Sequence, residues 1–213
     1  SDHLITRESE FVKSIEAGFN FVENHDALLT LGIKPTRPET GYGYIQIGQP
    51  FEGDILKVKT FTEKPDIDLA KVFVDSGEFF WNSGIFLWSA EAILKALHSY
   101  AADLMSTFDK GAADFGTPAE SEFIRREFPG CVNISIDYAV MEQASNVYVE
   151  CVDFGWNDLG TWSALYDNSP KNREANVTQN CRVLAYNSTG NIFAVRGDKL
   201  VVVNGLKDYI VAD

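Results

Sequence analysis

Val147-Tyr148-Val149-Glu150-Cys151-Val152, followed after Asp153 by Phe154-Gly155-Trp156-Asn157-Asp158-Leu159-Gly160-Thr161-Trp162, decides the fold class. The first six residues are rich in β-branched and aromatic side chains and read as a strand. The next nine set one carboxylate between aromatic residues on a glycine-flanked turn. That turn leads into a helix, with Thr161 as its N-cap and Trp162, Leu165 and Tyr166 on its apolar side. Strand, turn and helix in that order are the unit of an α/β sheet, and the pattern repeats upstream. Thr6 with Glu8 and Glu10 opens a helix that places Phe11, Ile15, Phe19 and Val22 on one face. Ala27 to Ile33 is an apolar run suited to a buried strand, whereas Lys34 to Gly43, with two prolines and two glycines, is a loop. Strands are expected at Tyr44 to Gly48, Leu56 to Glu63 and Phe79 to Trp88, and helices at Asp66 to Ser76 and about 89–108 and 118–128. Ser135 caps a further helix containing Tyr138, Val140 and Met141.

After Asn176 the character changes to short strands, Arg182–Tyr186, Ile192–Arg196, Leu200–Val203 and Tyr209–Ala212, separated by Ser188-Thr189-Gly190-Asn191 and Asn204-Gly205. The expected organisation is an α/β domain over residues 1–173 and a β-rich appendage over 174–213. Strands this short and evenly spaced suit a β-helix or a sandwich.

With 213 residues, 45% of them hydrophobic, and 15 Phe and 4 Trp, the chain can bury a sizeable core. No run approaches the roughly 20 apolar residues of a membrane helix, so membrane partners are not expected. A net charge of −13 opposes general nucleic-acid binding, though isolated basic residues can still meet a small phosphorylated ligand. The three cysteines show no Cys-x-x-Cys spacing, which suggests neither a disulfide framework nor zinc and points to a reducing cytoplasm.

In an open α/β sheet, ligands bind in loops beyond the carboxyl ends of the strands. Gly41, Glu63-Lys64, Asn82 and Asp158 all lie in such loops and are expected at one site. Asp158 is the first metal-ligand candidate, since Mg²⁺ takes one or two protein carboxylates and fills its other positions with water and phosphate. Its simpler alternative is a turn-opening residue. Glu63-Lys64 pairs a carboxylate for sugar hydroxyls with an ammonium for a phosphate, and its alternative is an ordinary surface ion pair. Asn82 offers an amide able both to donate to and to accept from a hydroxyl, beside Gly84, or it marks a turn in a buried strand. Gly41-Tyr42-Gly43-Tyr44 offers bare backbone amides, a pattern plain loops also show. Asp2 joins the site only if Asp158 lies opposite. Asp137-Tyr138 and Glu142 sit on a helix whose simplest role is packing, with Asp137 in the first turn where the helix dipole favours it.

These pieces together resemble the mannose-1-phosphate guanylyltransferases (GDP-mannose pyrophosphorylases) of the sugar-nucleotidyltransferase superfamily. The resemblance rests on SDHLI at 1–5, ETGYGYI at 39–45, FTEKP at 61–65, WNSGIFLW at 81–88, SIDYAVME at 135–142 and FGWNDLGTWSAL at 154–165. It implies a Rossmann-like mixed sheet followed by a β-helix-like segment, and Mg²⁺-dependent transfer of GMP from GTP to mannose 1-phosphate, giving GDP-mannose and pyrophosphate. It further implies that Asp2 and Asp158 hold the metal and that Glu63 and Asn82 contact mannose hydroxyls. Lys64 would contact the sugar phosphate, and Gly41, Tyr42, Gly43 and Gly84 would line the sugar side; Trp156 and Trp162 would wall the metal loop.

The family's sequences begin with a strand and a glycine-rich loop carrying Arg and Lys, and this sequence has no Gly-x-Gly-x-Arg. The expectation is therefore an N-terminally truncated piece, inactive alone, whose sheet exposes apolar surface and whose β-helix is cut short. Another sugar-1-phosphate nucleotidyltransferase and a noncatalytic, nucleotidyltransferase-like regulatory subunit are the alternatives, discriminated by whether an upstream basic glycine loop exists. Homo-oligomerisation stays open.

Overall fold

The computed structural model describes residues 2–213. The chain divides into two compact units, Arg7–Phe154 and residues 2–6 with Gly155–Asp213.

Strand β1 (His3–Ile5) belongs to the smaller unit. The larger unit begins with α1 (Glu8–Asn24), β2 (Leu28–Ile33), β3 (Tyr44–Glu52) and β4 (Ile55–Thr62). It continues with α2 (Ile67–Ser76), β5 (Phe79–Trp88), α3 (Ala90–Tyr100), α4 (Ala102–Asp109), α5 (Glu120–Glu127) and β6 (Val147–Val152). The strands form a mixed sheet in the order β2-β5-β3-β4-β6, in which β6 runs parallel to β2 and antiparallel to β4, so the pairing closes on itself. Every residue of β2 is buried, as expected of a strand paired on both sides and packed on both faces. Exposed apolar residues sit on α1 (Val12, Phe19) and α2 (Ile67, Leu69, Val72).

The core gathers Leu28, Ile45, Phe61, Val147 and Val149 from the sheet, Ala92 and Ala96 from α3, and Ala139, Val140 and Met141. The small alanines let α3 approach the sheet closely. Helix α1 departs from its sequence reading: the buried stripe runs through Gly18, Phe21 and Val22, and Phe19 is exposed. Gly18 sets this rotation, since a Cβ there would lie 3.0 Å from Leu87 Cδ2 and 3.1 Å from Leu29 Cδ2. Thr6 does not cap this helix, which starts at Glu8.

Helix α2 falls within the expected Asp66 to Ser76 helix; Asp66 accepts from the backbone N–H of Asp68 and Leu69, and Gly77 closes it in the left-handed region. The expected helix over 89–108 breaks at Ala101 into α3 and α4. The helix expected after Ser135 is a π-helical turn, Asp137–Met141. Its wide hydrogen bond, Glu142 N–H to Asp137 C=O at 2.9 Å, re-aims the side chains at both ends, a distortion that recurs at functional sites.

In the smaller unit, β1 pairs antiparallel with β7 (Trp156–Asp158). Helix α6 (Trp162–Asn168) follows, its N-terminus capped by Thr161 Oγ1, which accepts from Ala164 N at 3.2 Å. Strands β8 (Val177–Gln179), β10 (Ile192–Ala194) and β12 (Ile210–Ala212) stack in parallel, as do β9 (Arg182–Tyr186) and β11 (Leu200–Asn204). Parallel stacking of successive short strands is the β-helix arrangement, not the sandwich. Buried Asn191 ties the coils together: its Nδ2 donates to Asn176 Oδ1 (2.8 Å) and Leu206 C=O (3.1 Å), and its Oδ1 accepts from Tyr209 N (2.9 Å).

Candidate functional site

In the larger unit the backbone of β3 lies between β4 and β5, so Tyr44 is registered with Thr62 on one side and Trp81 on the other. Gly43, one residue before Tyr44, is thereby set beside Glu63 and Asn82: its C=O accepts from Asn82 N at 2.8 Å. A Cβ on Gly43 would stand 2.4 Å from Glu63 Oε2 and 3.3 Å from Asn82 Cβ. The missing side chain is what lets the Glu63 carboxylate lie across the strand. Its side chain is only 7% exposed, and its Oε1 is ion-paired with Lys64, whose side chain is 58% exposed. Lys64 sits at φ +46°, a left-handed conformation uncommon for a residue with a side chain. The hydrogen bond to Glu63, with the charges of Glu63 and Asp137, raises its pKa, so it remains an ammonium.

Asn82 marks a break in β5. Between Thr30 and Gly32 of β2 the register with β5 shifts: Asn82 pairs with Gly32 and Phe86 with Thr30, and Ser83-Gly84-Ile85 between them bulges out. Gly84, at φ +73°, gives the bulge the backbone conformation it needs, and its N–H returns to Asn82 Oδ1 at 3.2 Å. Asn82 Nδ2 donates to Asp137 Oδ1 at 3.0 Å, and Thr30 Oγ1 donates to Asn82 Oδ1 at 2.9 Å. Glu142, at the end of the π-helical turn, accepts from Glu63 N at 3.2 Å.

The glycine loop is held more loosely. Gly41 N donates to Glu39 Oε1 at 3.1 Å, and Glu39 also pairs with Arg37, whose guanidinium lies over the Trp81 ring at 5.5 Å. Tyr42 is buried edge-on against Trp81, at 5.3 Å between ring centres. Of the residues singled out in the sequence, Gly43, Glu63, Lys64, Asn82 and Gly84 thus share one cluster with Tyr42 packed alongside, while Gly41 is tied to Glu39.

Asp2 and Asp158 lie in the smaller unit. The register His3↔Asp158 and a hydrogen bond from Leu159 N to Asp2 C=O (2.8 Å) set Asp2 beside Leu159, one step along the ladder from Asp158. Asp158 Oδ1 accepts from Gly160 N at 2.9 Å, leaving Oδ2 outside that turn. Among the described residues no group of three or more His, Cys, Asp or Glu side chains stands together as a metal site. Carboxylate oxygens are the hard donors that Mg²⁺ takes, one or two from the protein with water and phosphate completing its shell. Trp156 meets the His3 ring edge-on at 5.4 Å, whereas Trp162 faces the β-helix strands beside Gln179, Arg196 and Asp213.

Sequence reasoning passed over Thr30 and gave Asp137 and Glu142 only a packing role. Thr30 had a readable signal, a lone polar residue within an apolar strand run, now fully buried. Asp137 and Glu142 had none, because helical periodicity does not predict a π-helical turn.

The mixed sheet, with carboxylate, ammonium and amide groups gathered at its strand ends, defines the class: a nucleotide-diphospho-sugar transferase fold. The chain belongs to the nucleotidyl transferase family, whose model matches residues 1–175. It is 37% identical over 216 residues to a putative mannose-1-phosphate guanylyltransferase of Vibrio cholerae serotype O1, covering 100% of this chain and 45% of that protein. It is 36% identical over 222 residues to the mannose-1-phosphate guanylyltransferase of Sinorhizobium fredii, covering 99% and 42%. The chain therefore spans less than half the length of these curated relatives. A crystal structure described as mannose-1-phosphate geranyltransferase from Thermus thermophilus has a TM-score of 0.82 at 28% identity, covering 100% of this chain and 60% of that one. No helix among the described residues is long and apolar enough to cross a membrane.

Proposed function

We propose that the protein transfers GMP from GTP to mannose 1-phosphate, releasing pyrophosphate and forming GDP-mannose, with Mg²⁺ as cofactor. The observation that carries this reading is the Gly43–Glu63–Lys64–Asn82 cluster: a carboxylate pressed onto bare backbone, an exposed ammonium and an oriented amide suit a sugar on one side and its phosphate on the other. The likeness to relatives bearing that enzyme name supports the choice of mannose and guanine.

In this reaction an oxygen of the sugar phosphate forms a bond to the α-phosphorus of GTP while the bond to the departing pyrophosphate breaks. No protein nucleophile is needed, so the work is positioning and charge stabilisation. Glu63 and Asn82 orient the sugar, and Lys64 holds the attacking phosphate and balances its charge. Asp2 and Asp158 would hold Mg²⁺, which when bound neutralises phosphate charge. The three cysteines are free, which supports a reducing, cytoplasmic setting. The net charge of −13 supports small-molecule partners over nucleic acid.

The test is formation of GTP from GDP-mannose and pyrophosphate with Mg²⁺, comparing this chain with a form extended upstream to include a basic glycine loop. GTP from the extended form alone is the expected result. Silence from both forms would overturn the reading. With the active form, Lys64→Ala is expected to raise the KM for mannose 1-phosphate about tenfold with a smaller change in kcat, the size of one lost charge-assisted hydrogen bond.

A further inference from the structure

The hydrogen-bonding capacity of Asn82 is almost used up within the protein. An amide oxygen has two acceptor sites and an amide nitrogen two hydrogens. Both acceptor sites of Asn82 are filled internally, by Thr30 Oγ1 at 2.9 Å and Gly84 N at 3.2 Å. One hydrogen of Nδ2 goes to Asp137 Oδ1 at 3.0 Å. The amide cannot be turned over, because the Gly84 N–H can only donate and an ionised Asp137 can only accept. Asn82 is left with a single N–H to offer, and the acceptor beside it is the remaining capacity of the Asp137 carboxylate.

We propose that Asp137 is a specificity-determining residue of the sugar site, in which one sugar hydroxyl accepts from Asn82 Nδ2 and donates to Asp137. This rests on the sugar-phosphate reading of the cluster. A donor and an acceptor that are already bonded to each other match the two roles of one hydroxyl. They reject a sugar lacking that hydroxyl, because both groups then lose a partner. Asp137 stands at the start of the π-helical turn, half-buried and close enough for its charge to act on Lys64. Thr30, fully buried on β2, acts as a positioning residue by holding the amide's direction.

The experiment measures calorimetric binding of mannose 1-phosphate and its monodeoxy analogues to the intact protein and to Asp137→Asn and Thr30→Val. In the unaltered protein, loss of one particular hydroxyl should weaken binding about 10- to 100-fold, the range for a hydrogen bond to a charged group. Asp137→Asn keeps an oxygen for Asn82 Nδ2 but turns a donor toward the sugar. It should weaken binding of mannose 1-phosphate and abolish the penalty at that one hydroxyl, leaving penalties at the others intact. Thr30→Val should weaken binding of mannose 1-phosphate several-fold, with Thr30→Ser restoring it. Unchanged discrimination in Asp137→Asn, with mannose 1-phosphate still bound, overturns this proposal and leaves the sugar-phosphate reading standing. Failure of the unaltered protein to bind any of these sugar phosphates overturns the reading itself. If Asp137→Asn does not fold, unaltered binding in Thr30→Val serves to overturn the proposal.

Discussion

The Glu63–Lys64–Asn82 cluster and the Asp2/Asp158 pair are held by different means. The Asn82 side chain is fixed by the side chains of Thr30 on β2 and Asp137 of the π-helical turn, while Glu142 accepts from the backbone N–H of Glu63. Asp2 and Asp158 are fixed by backbone register, and Asp158 Oδ1 accepts within its own turn, from Gly160 N. The first arrangement suits recognition of a shaped, many-hydroxyl ligand, because each group is preorganised before the ligand arrives. The second leaves Asp158 Oδ2 outside its own turn, and in the proposed reading it meets a hydrated Mg²⁺, which takes only one or two protein carboxylates and keeps its other octahedral positions for water and phosphate.

The largest expected effect breaks the second arrangement without touching the first. Asp158→Asn should lower turnover of the active form by about a hundredfold or more, the scale of removing a principal electrostatic stabiliser, while leaving mannose 1-phosphate affinity unchanged. Near-normal rates would remove Asp158 from the metal role. Asn191→Ala strips three hydrogen bonds from the interior of the β-helix. It should destabilise the smaller unit by roughly 2–4 kcal/mol, read by chemical denaturation, with no effect on sugar-phosphate binding to the larger one.

Gly43→Ala probes the first arrangement. The added methyl must displace the Glu63 carboxylate, and affinity for mannose 1-phosphate should fall about tenfold by titration, as for one lost charged hydrogen bond. Gly41→Ala, where the nearest atom is a flexible carboxylate oxygen at 3.4 Å, should change little.

The smallest effect concerns Glu150, buried on β6 between β2 and β4. Its Oε2 has no hydrogen-bond partner among the described residues. Burial pushes its pKa from 4.5 up to about 7, with a hydrogen bond to Ser14 opposing and Asp54 adding to the shift. Between these values the unfolded chain releases the proton before the folded one does, so stability should fall as pH rises from 4.5 toward 7. Glu150→Gln should flatten that slope in urea midpoints measured across the window.

The same contrast explains how far the sequence could be read. Strands β5 and β6 fall where alternation and β-branched content place them, and Asp66 and Thr161 cap the helices they precede, because those signals are local. Phe19 faces outward because Gly18 takes the contact with Leu29 and Leu87, a preference set by the packing partner and not by helical spacing. The motif residues Glu63, Lys64 and Asn82 were visible, but the exhaustion of the Asn82 oxygen by Thr30 and Gly84 is a long-range fact. So is the antiparallel pairing that sets Asp2 beside Leu159.

The most direct measurement is an NMR titration of this chain with mannose 1-phosphate, following backbone amides and the Asn82 side-chain amide. Saturable shifts are expected at Gly43, Glu63, Lys64, Asn82 and Asp137, with the β-helix residues after Asn176 unmoved. Shifts confined to the β-helix, or none at millimolar sugar phosphate, would contradict a sugar-phosphate site built on Glu63, Lys64 and Asn82.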